Sequence, residues 1–138
     1  MKSVYILRGV SGSGRSTLAK NLIDLLDSKY IGTICEADEF FIKDGEYKFY
    51  PEGLAQAHNY CRRKFDSAVI NEHNLIIISN TNASEKEFSY YLDKAKANGY
   101  YVAVMITENR HGGTNLHNVP EEALMRQQEK IKNSLKLR

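Results

Sequence analysis

Residues Gly9 to Ser16 read G-V-S-G-S-G-R-S, with glycines at Gly9, Gly12 and Gly14 and hydroxyls at Ser11, Ser13, Ser16 and, one step on, Thr17. Such a loop curls successive backbone N–H groups around phosphate oxygens, and its glycines let the backbone approach closely. The Walker A pattern G-x-x-x-x-G-K-[ST] is met at Gly9, Gly14 and Ser16, but Arg15 holds the lysine position. The Ser16 hydroxyl is placed for Mg²⁺, and a helix starting here aims its positive dipole end at the anion. A lysine would be a compact charge reaching the β- and γ-phosphates, whereas arginine is a planar fork that pairs with phosphate bidentately. Holding ATP, GTP or another polyphosphate follows more directly than catalysis, because a misplacement of about 1 Å can cost about 100-fold in rate.

A second constellation is Glu36-Ala37-Asp38-Glu39-Phe40-Phe41. A carboxylate there faces the glycine loop across the sheet, where it would take the proton from a hydroxyl acceptor during phosphoryl transfer. Asp38 and Glu39 are consecutive, so only one of them points inward. Asn80-Thr81-Asn82 would support the acceptor or a water near Mg²⁺, or equally well close a strand and open a turn. Arg62 and Arg63 would grip an acceptor phosphate or form a solvated basic face. His58 reads as a half-buried, satisfied histidine rather than a catalytic one. The aromatic run Phe40-Phe41, Tyr47 and Phe49-Tyr50 would stack bases or, on balance, pack over the helix that follows it.

These residues need a frame. Four β-rich runs, 4–8, 32–37, 75–79 and 101–107, alternate with helical stretches, as in a mainly parallel α/β sheet of about four strands flanked by helices. Each run is nearly continuous in apolar residues, which predicts strands covered on both faces. The first helix is expected over 16–27. The second opens at Pro51, carries Leu54, Ala57, Cys61, Phe65 and Ala68 at helical spacing and reaches about Asn71. The third opens on the capping box Ser84-Glu85-Lys86-Glu87 and stops at Asn98-Gly99; the last begins at Pro120. The loops 9–16, 38–50, 80–83 and 108–119 follow the carboxyl ends of the strands, where α/β sheets build their sites.

At 138 residues the chain is expected to be one domain, 1–138, with a proper core. A net charge of +2 is too small to argue for nucleic acid by itself. No apolar stretch is long enough to span a membrane and no signal segment precedes the first strand, so a cytoplasmic protein without a membrane partner is expected. Cys35 and Cys61 lack metal-ligand spacing and read as reduced, buried thiols.

Taken together, Leu7-Arg8-Gly9 through Thr17, Asp38-Glu39-Phe40-Phe41, Ala57-His58-x-x-Cys61, Ile78-Ser79-Asn80-Thr81-Asn82 and His117-Asn118-Val119-Pro120 come in a recognisable order and spacing. The chain resembles the polynucleotide-kinase-type P-loop kinases, which include phage 5′-hydroxyl polynucleotide kinases and are akin to zeta-toxin-like ATP-binding domains. The resemblance implies a three-layer P-loop NTPase fold. It also implies a phosphotransferase using ATP or GTP with Mg²⁺, and acceptors among single-stranded nucleic acid ends or nucleosides. By that resemblance Asp38 takes the general base's position and Ser16 that of the metal-linked hydroxyl.

Departures from the family stand at the positive contacts. Arg15 replaces the lysine, and Thr114-Asn115 stands where the family carries a lid arginine. The connection 108–119 is short and holds Gly112-Gly113, which leaves Arg110 as its only arginine to cover the phosphates. Phosphoryl transfer rests on positioning and charge stabilisation, so these losses argue for a slow or a retired enzyme. The leading expectation is a kinase acting on a nucleic acid or nucleoside hydroxyl. A non-catalytic nucleotide-binding protein and a small-molecule kinase are the alternatives.

Overall fold

The computed structural model describes residues 1–113 and 117–136. Four strands form one parallel sheet: β1 (Ser3–Arg8), β2 (Gly32–Cys35), β5 (Leu75–Ser79) and β6 (Tyr101–Ile106), in the order β2-β5-β1-β6. Between β2 and β5 a short antiparallel hairpin joins β3 (Ile42–Lys43) to β4 (Glu46–Tyr47) within the stretch 38–50 expected as a loop. The helices are α1 (Arg15–Asp24), α2 (Leu54–Ile70), α3 (Glu85–Ala97) and α4 (Glu121–Asn133).

Strand alternation divides the core into two layers. On β1 and β5, Val4, Ile6, Ile76 and Ile78 face α2 and α3, where they meet Phe65, Phe88 and Tyr91. Leu7, Leu75 and Ile77 face the other way, against Ala19 and the partly buried Leu18, Leu22 and Ile23 of α1. Both faces of the central strands β1 and β5 are thus covered, which is why their interiors are apolar. The expectation fails for the edge strand β6, where no further strand adds cover and Tyr101, Val104 and Ile106 are exposed. The α/β fold with a mainly parallel four-stranded sheet is the one expected.

The element ends differ by a few residues from those expected. β2 stops at Cys35 because 37–41 winds into a 3₁₀ turn, whose first N–H, on Ala37, donates to Asn80 Oδ1 at 2.8 Å. α1 ends at Asp24 rather than at residue 27. Pro51 opens a 3₁₀ turn, Pro51–Gly53, that leads into α2. Ser84 caps α3 without a side-chain bond to the backbone; its hydroxyl instead donates to Glu87 Oε2 at 3.1 Å.

Arg8, at the end of β1, is buried and ties several elements together. Its Nε donates to the Asn82 carbonyl at 2.7 Å, one terminal nitrogen bonds the Ala83 carbonyl and Ser134 Oγ, and the guanidinium lies 4.9 Å from the Phe88 ring centre. Burial lowers its pKa, opposed by Glu85 and Glu87. Cys35 and Cys61 are free and buried, and burial raises both thiols. Among the described residues no helix is long and apolar enough to cross a membrane.

Candidate functional site

β1 runs into the Gly9–Ser16 loop, and the loop runs into α1. The start of α1 has no side-chain cap and no acidic residue in its first turn, so its early N–H groups lack the partners that usually satisfy them. Gly14 precedes the helix at φ +97°, a left-handed conformation that glycine adopts without strain. Gly9 packs tightly against the residue that follows β6: a Cβ there would strike Thr107 Oγ1 and Ser13 Oγ, which share a hydrogen bond of 2.6 Å. Ser13 is therefore buried in holding the loop to β6, while Ser11, Gly12, Ser16 and Thr17 border a cleft of about 350 Å³.

Arg15 borders this cleft and a larger one beside it, of about 760 Å³. Among the described residues its Nε is buried without a hydrogen-bond partner. Burial lowers its pKa, while Asp38 and then Glu36 raise it, and a guanidinium between two carboxylates stays charged. A cleft walled by an uncapped helix start and by an arginine with an orphaned donor suits a polyanion.

Ser16 Oγ donates to Glu36 Oε1 at 2.8 Å. Glu36 was missed as a site residue in the sequence; its position at the end of β2, two residues before Asp38, was the available signal. Among the described residues no group of three or more His, Cys, Asp or Glu side chains could hold a metal. The Ser16–Glu36 pair nevertheless suits Mg²⁺ that takes its other ligands from phosphates and water.

The structure separates the two adjacent acids. Glu39 turns away, accepting from Lys64 Nζ at 2.8 Å and Tyr60 OH at 3.0 Å. Asp38 borders both clefts. Tyr47 OH donates to its Oδ1 at 3.4 Å, and His117 Nε2 lies 3.8 Å from its Oδ2. The His117 and Tyr47 rings stack with centroids 3.8 Å apart. Burial, then the Asp38 charge and hydrogen bond, push the Tyr47 phenol up to about 12.

Asn80 and Asn82 border the larger cleft, but their side chains are committed to the fold. Asn80 bonds the Ala37 N–H and, at 3.5 Å, Cys61 Sγ; Asn82 Nδ2 donates to the Leu7 carbonyl at 2.8 Å. Arg62 and Arg63 line neither cleft, and Arg62 instead lies 5.0 Å from the Tyr90 ring centre. Arg110 also lines neither. It pairs with Glu108 at 2.9 Å on an exposed strip of the loop, and the adjacent residue, His111, borders the smaller cleft in its stead. Positions 114 and 115, where the resemblance leads one to expect a lid arginine, lie outside the described residues.

His58 is exposed at the edge of the larger cleft rather than half-buried. Of the aromatic loop, Phe41 is fully buried and meets Phe40, Tyr47, Phe49 and Tyr50 edge-on, so packing is its main role. Tyr47 and Phe49 remain on the cleft wall. α4 also brings Arg126 and Gln127 to this cleft; Ser11 N–H donates to Gln127 Oε1 at 3.4 Å. Neither residue was singled out in the sequence, where α4 carries no motif.

No family model matches the chain. Human NEDD4-binding protein 2 is 32% identical over 99 residues, which is 72% of this chain and 5% of that protein. The 2',3'-cyclic-nucleotide 3'-phosphodiesterase of Pongo abelii is 32% identical over 113 residues, 75% of this chain and 24% of its own length. The chain thus spans a small part of these relatives. Among solved structures, a chain of the Pnkp1/Rnl/Hen1 complex superposes with a TM-score of 0.58 at 20% identity, covering 91% of this chain and 38% of that one. APS kinase CysC of Mycobacterium tuberculosis gives 0.56 at 12% identity, with 95% and 97% covered. Kti12 of Chaetomium thermophilum, in complex with ADP-AlF3, gives 0.53 at 14%, with 98% and 74% covered. At these identities the likeness is one of fold: the chain has the mixed α/β fold of the P-loop kinases.

Proposed function

We propose that this protein, as a single domain, is a P-loop phosphotransferase that moves the γ-phosphate of ATP or GTP to a hydroxyl, most simply the 5′-hydroxyl of a nucleic acid end or a nucleoside. The observation that carries the reading is Asp38, a carboxylate standing between the phosphate-loop cleft and the larger cleft beside it. One cleft takes the triphosphate and the other the acceptor.

The loop amides from Gly12 to Thr17 and the Arg15 fork would hold the phosphates. Ser16 and Glu36 would hold Mg²⁺, which when bound draws charge from the phosphate oxygens. Asp38 accepts the acceptor's proton as its oxygen bonds to the γ-phosphorus; the bond from that phosphorus to the bridging oxygen breaks and a nucleoside diphosphate leaves. Tyr47 donates a hydrogen bond to Asp38 and turns it toward the acceptor. The loss of the lysine favours a second reading: a protein that binds the nucleotide with little or no transfer.

The test is transfer of labelled γ-phosphate to a panel of 5′-hydroxyl oligonucleotides, nucleosides and small polar alcohols. Label on oligonucleotides or nucleosides supports the leading reading, and label on small alcohols alone replaces it with a small-molecule kinase. Nucleotide binding with no labelled acceptor supports the non-catalytic reading.

A further inference from the structure

Arg110 does not reach the phosphate-loop cleft, but the same short connection carries a residue that does. His111 borders the cleft formed by Gly12, Gly14, Arg15, Ser16 and Thr17. Its ring sits over Gly14, where an added Cβ would lie 2.8 Å from Nε2. The ring's other nitrogen is taken: Gly113 N–H donates to His111 Nδ1 at 2.9 Å. Asn109 clamps the same turn from both sides, its Oδ1 accepting from Gly113 N–H at 3.0 Å and its Nδ2 donating to the Gly113 carbonyl at 2.8 Å. Gly112 makes the turn at φ +73°.

A nitrogen that accepts from a backbone N–H carries no proton, so the neutral ring holds its hydrogen on Nε2. The turn therefore fixes a donor at the wall of the phosphate-loop cleft, on the side facing the start of α1. We infer that His111 is a phosphate-binding residue: its Nε2–H donates to a phosphate oxygen of the bound nucleotide, a contact that Arg110, paired with Glu108, does not make. This inference rests on the nucleotide reading of the cleft. A histidine donor is weaker than a guanidinium fork and gives one bond where arginine gives two. It holds phosphate without the full charge stabilisation that rapid transfer needs.

Two measurements on the intact chain test it together. Calorimetry with Mg²⁺-ATP compares wild type with His111→Ala and His111→Arg. Nitrogen-15 NMR of the histidine rings follows Nε2 of His111 as Mg²⁺-AMPPNP is added. The expected results are affinity lowered about tenfold in His111→Ala, as for loss of a hydrogen bond to a charged group, affinity kept or raised in His111→Arg, and a shifted Nε2 resonance. The unfolding midpoint without nucleotide should be the same in all three proteins, since His111 is exposed. A wild type that binds while His111→Ala binds within twofold of it, or an Nε2 resonance that does not move on binding, overturns this inference and leaves the nucleotide reading standing. A wild type that binds no nucleotide overturns both.

Discussion

At the scale of single residues, the site depends on two charges whose settings differ. Asp38 has open cleft on two sides, with Tyr47 and His117 beside it. As the proposed base, Asp38 acts on the acceptor, so Asp38→Asn should lower turnover by about 10²–10⁴-fold. Nucleotide affinity should change far less, as steady-state kinetics and calorimetry run on the same preparation would show. Wild-type turnover in the variant would reduce Asp38 to a structural acid. Arg15 is the opposite case, with a charge shared between two carboxylates and a donor lacking a partner. Arg15→Lys should raise turnover, because a compact ammonium reaches the β- and γ-phosphates that a rigid fork places less well. Rates with one acceptor and saturating Mg²⁺-nucleotide decide the matter, and a fall would mean that the loop has adapted to arginine.

At the scale of elements, strand ends and turns aim these residues, and much of that aiming was not legible in the sequence. The Gly9–Ser16 loop, its strand and its helix were, because glycine spacing and the change from apolar run to helical period are local signals. The hairpin β3–β4 was not: its strands have two residues each and no alternation to read. Yet that hairpin carries Tyr47 to Asp38. Because the folded protein raises the Tyr47 pKa above the ordinary phenol value of 10, up to about 12, the folded state keeps this proton more tightly than the unfolded chain. The resulting stability is complete below pH 10 and is lost as pH rises toward 12. Tyr47→Phe should therefore lose less stability than wild type between pH 10 and 12 in denaturant titrations at fixed pH. An equal loss would show that the phenol is not held.

The Asn80-Thr81-Asn82 segment was legible as a motif but open in role. Its two asparagine side chains bond the backbone at the ends of β1 and β2, where a turn residue and a site residue look alike in sequence. Asn82→Ala leaves the buried Leu7 carbonyl without this donor and should cost about 1–3 kcal/mol. Asn82 also sits at φ +46°, which adds to the cost for alanine. Thermal unfolding measures it, and an unchanged midpoint would remove the clamp from the account.

At the scale of the whole molecule, a parallel sheet gathers the carboxyl ends of its strands at one edge, with α4 brought across beside them. That the four loops gather there is legible in the sequence, because βα alternation implies it. Distance along the chain hid the rest: Gln127 meets Ser11, and Ser134 meets Arg8, across more than 100 residues. The direction of Arg110 was equally hidden, since an arginine in a short connection reads the same whether it pairs with its own loop or with a ligand. The sheet ends on β6, whose Tyr101, Val104 and Ile106 are exposed. Two clefts meet at Asp38, and the proposed function requires that the loop between β1 and α1 hold a nucleotide through its phosphates. Calorimetric titration of the wild-type chain with Mg²⁺-ATP and Mg²⁺-GTP, beside adenosine and guanosine, tests this most directly. Binding of a triphosphate, with the nucleosides much weaker, is the predicted result. No triphosphate binding at millimolar concentration, or a nucleoside that binds as tightly, would contradict it.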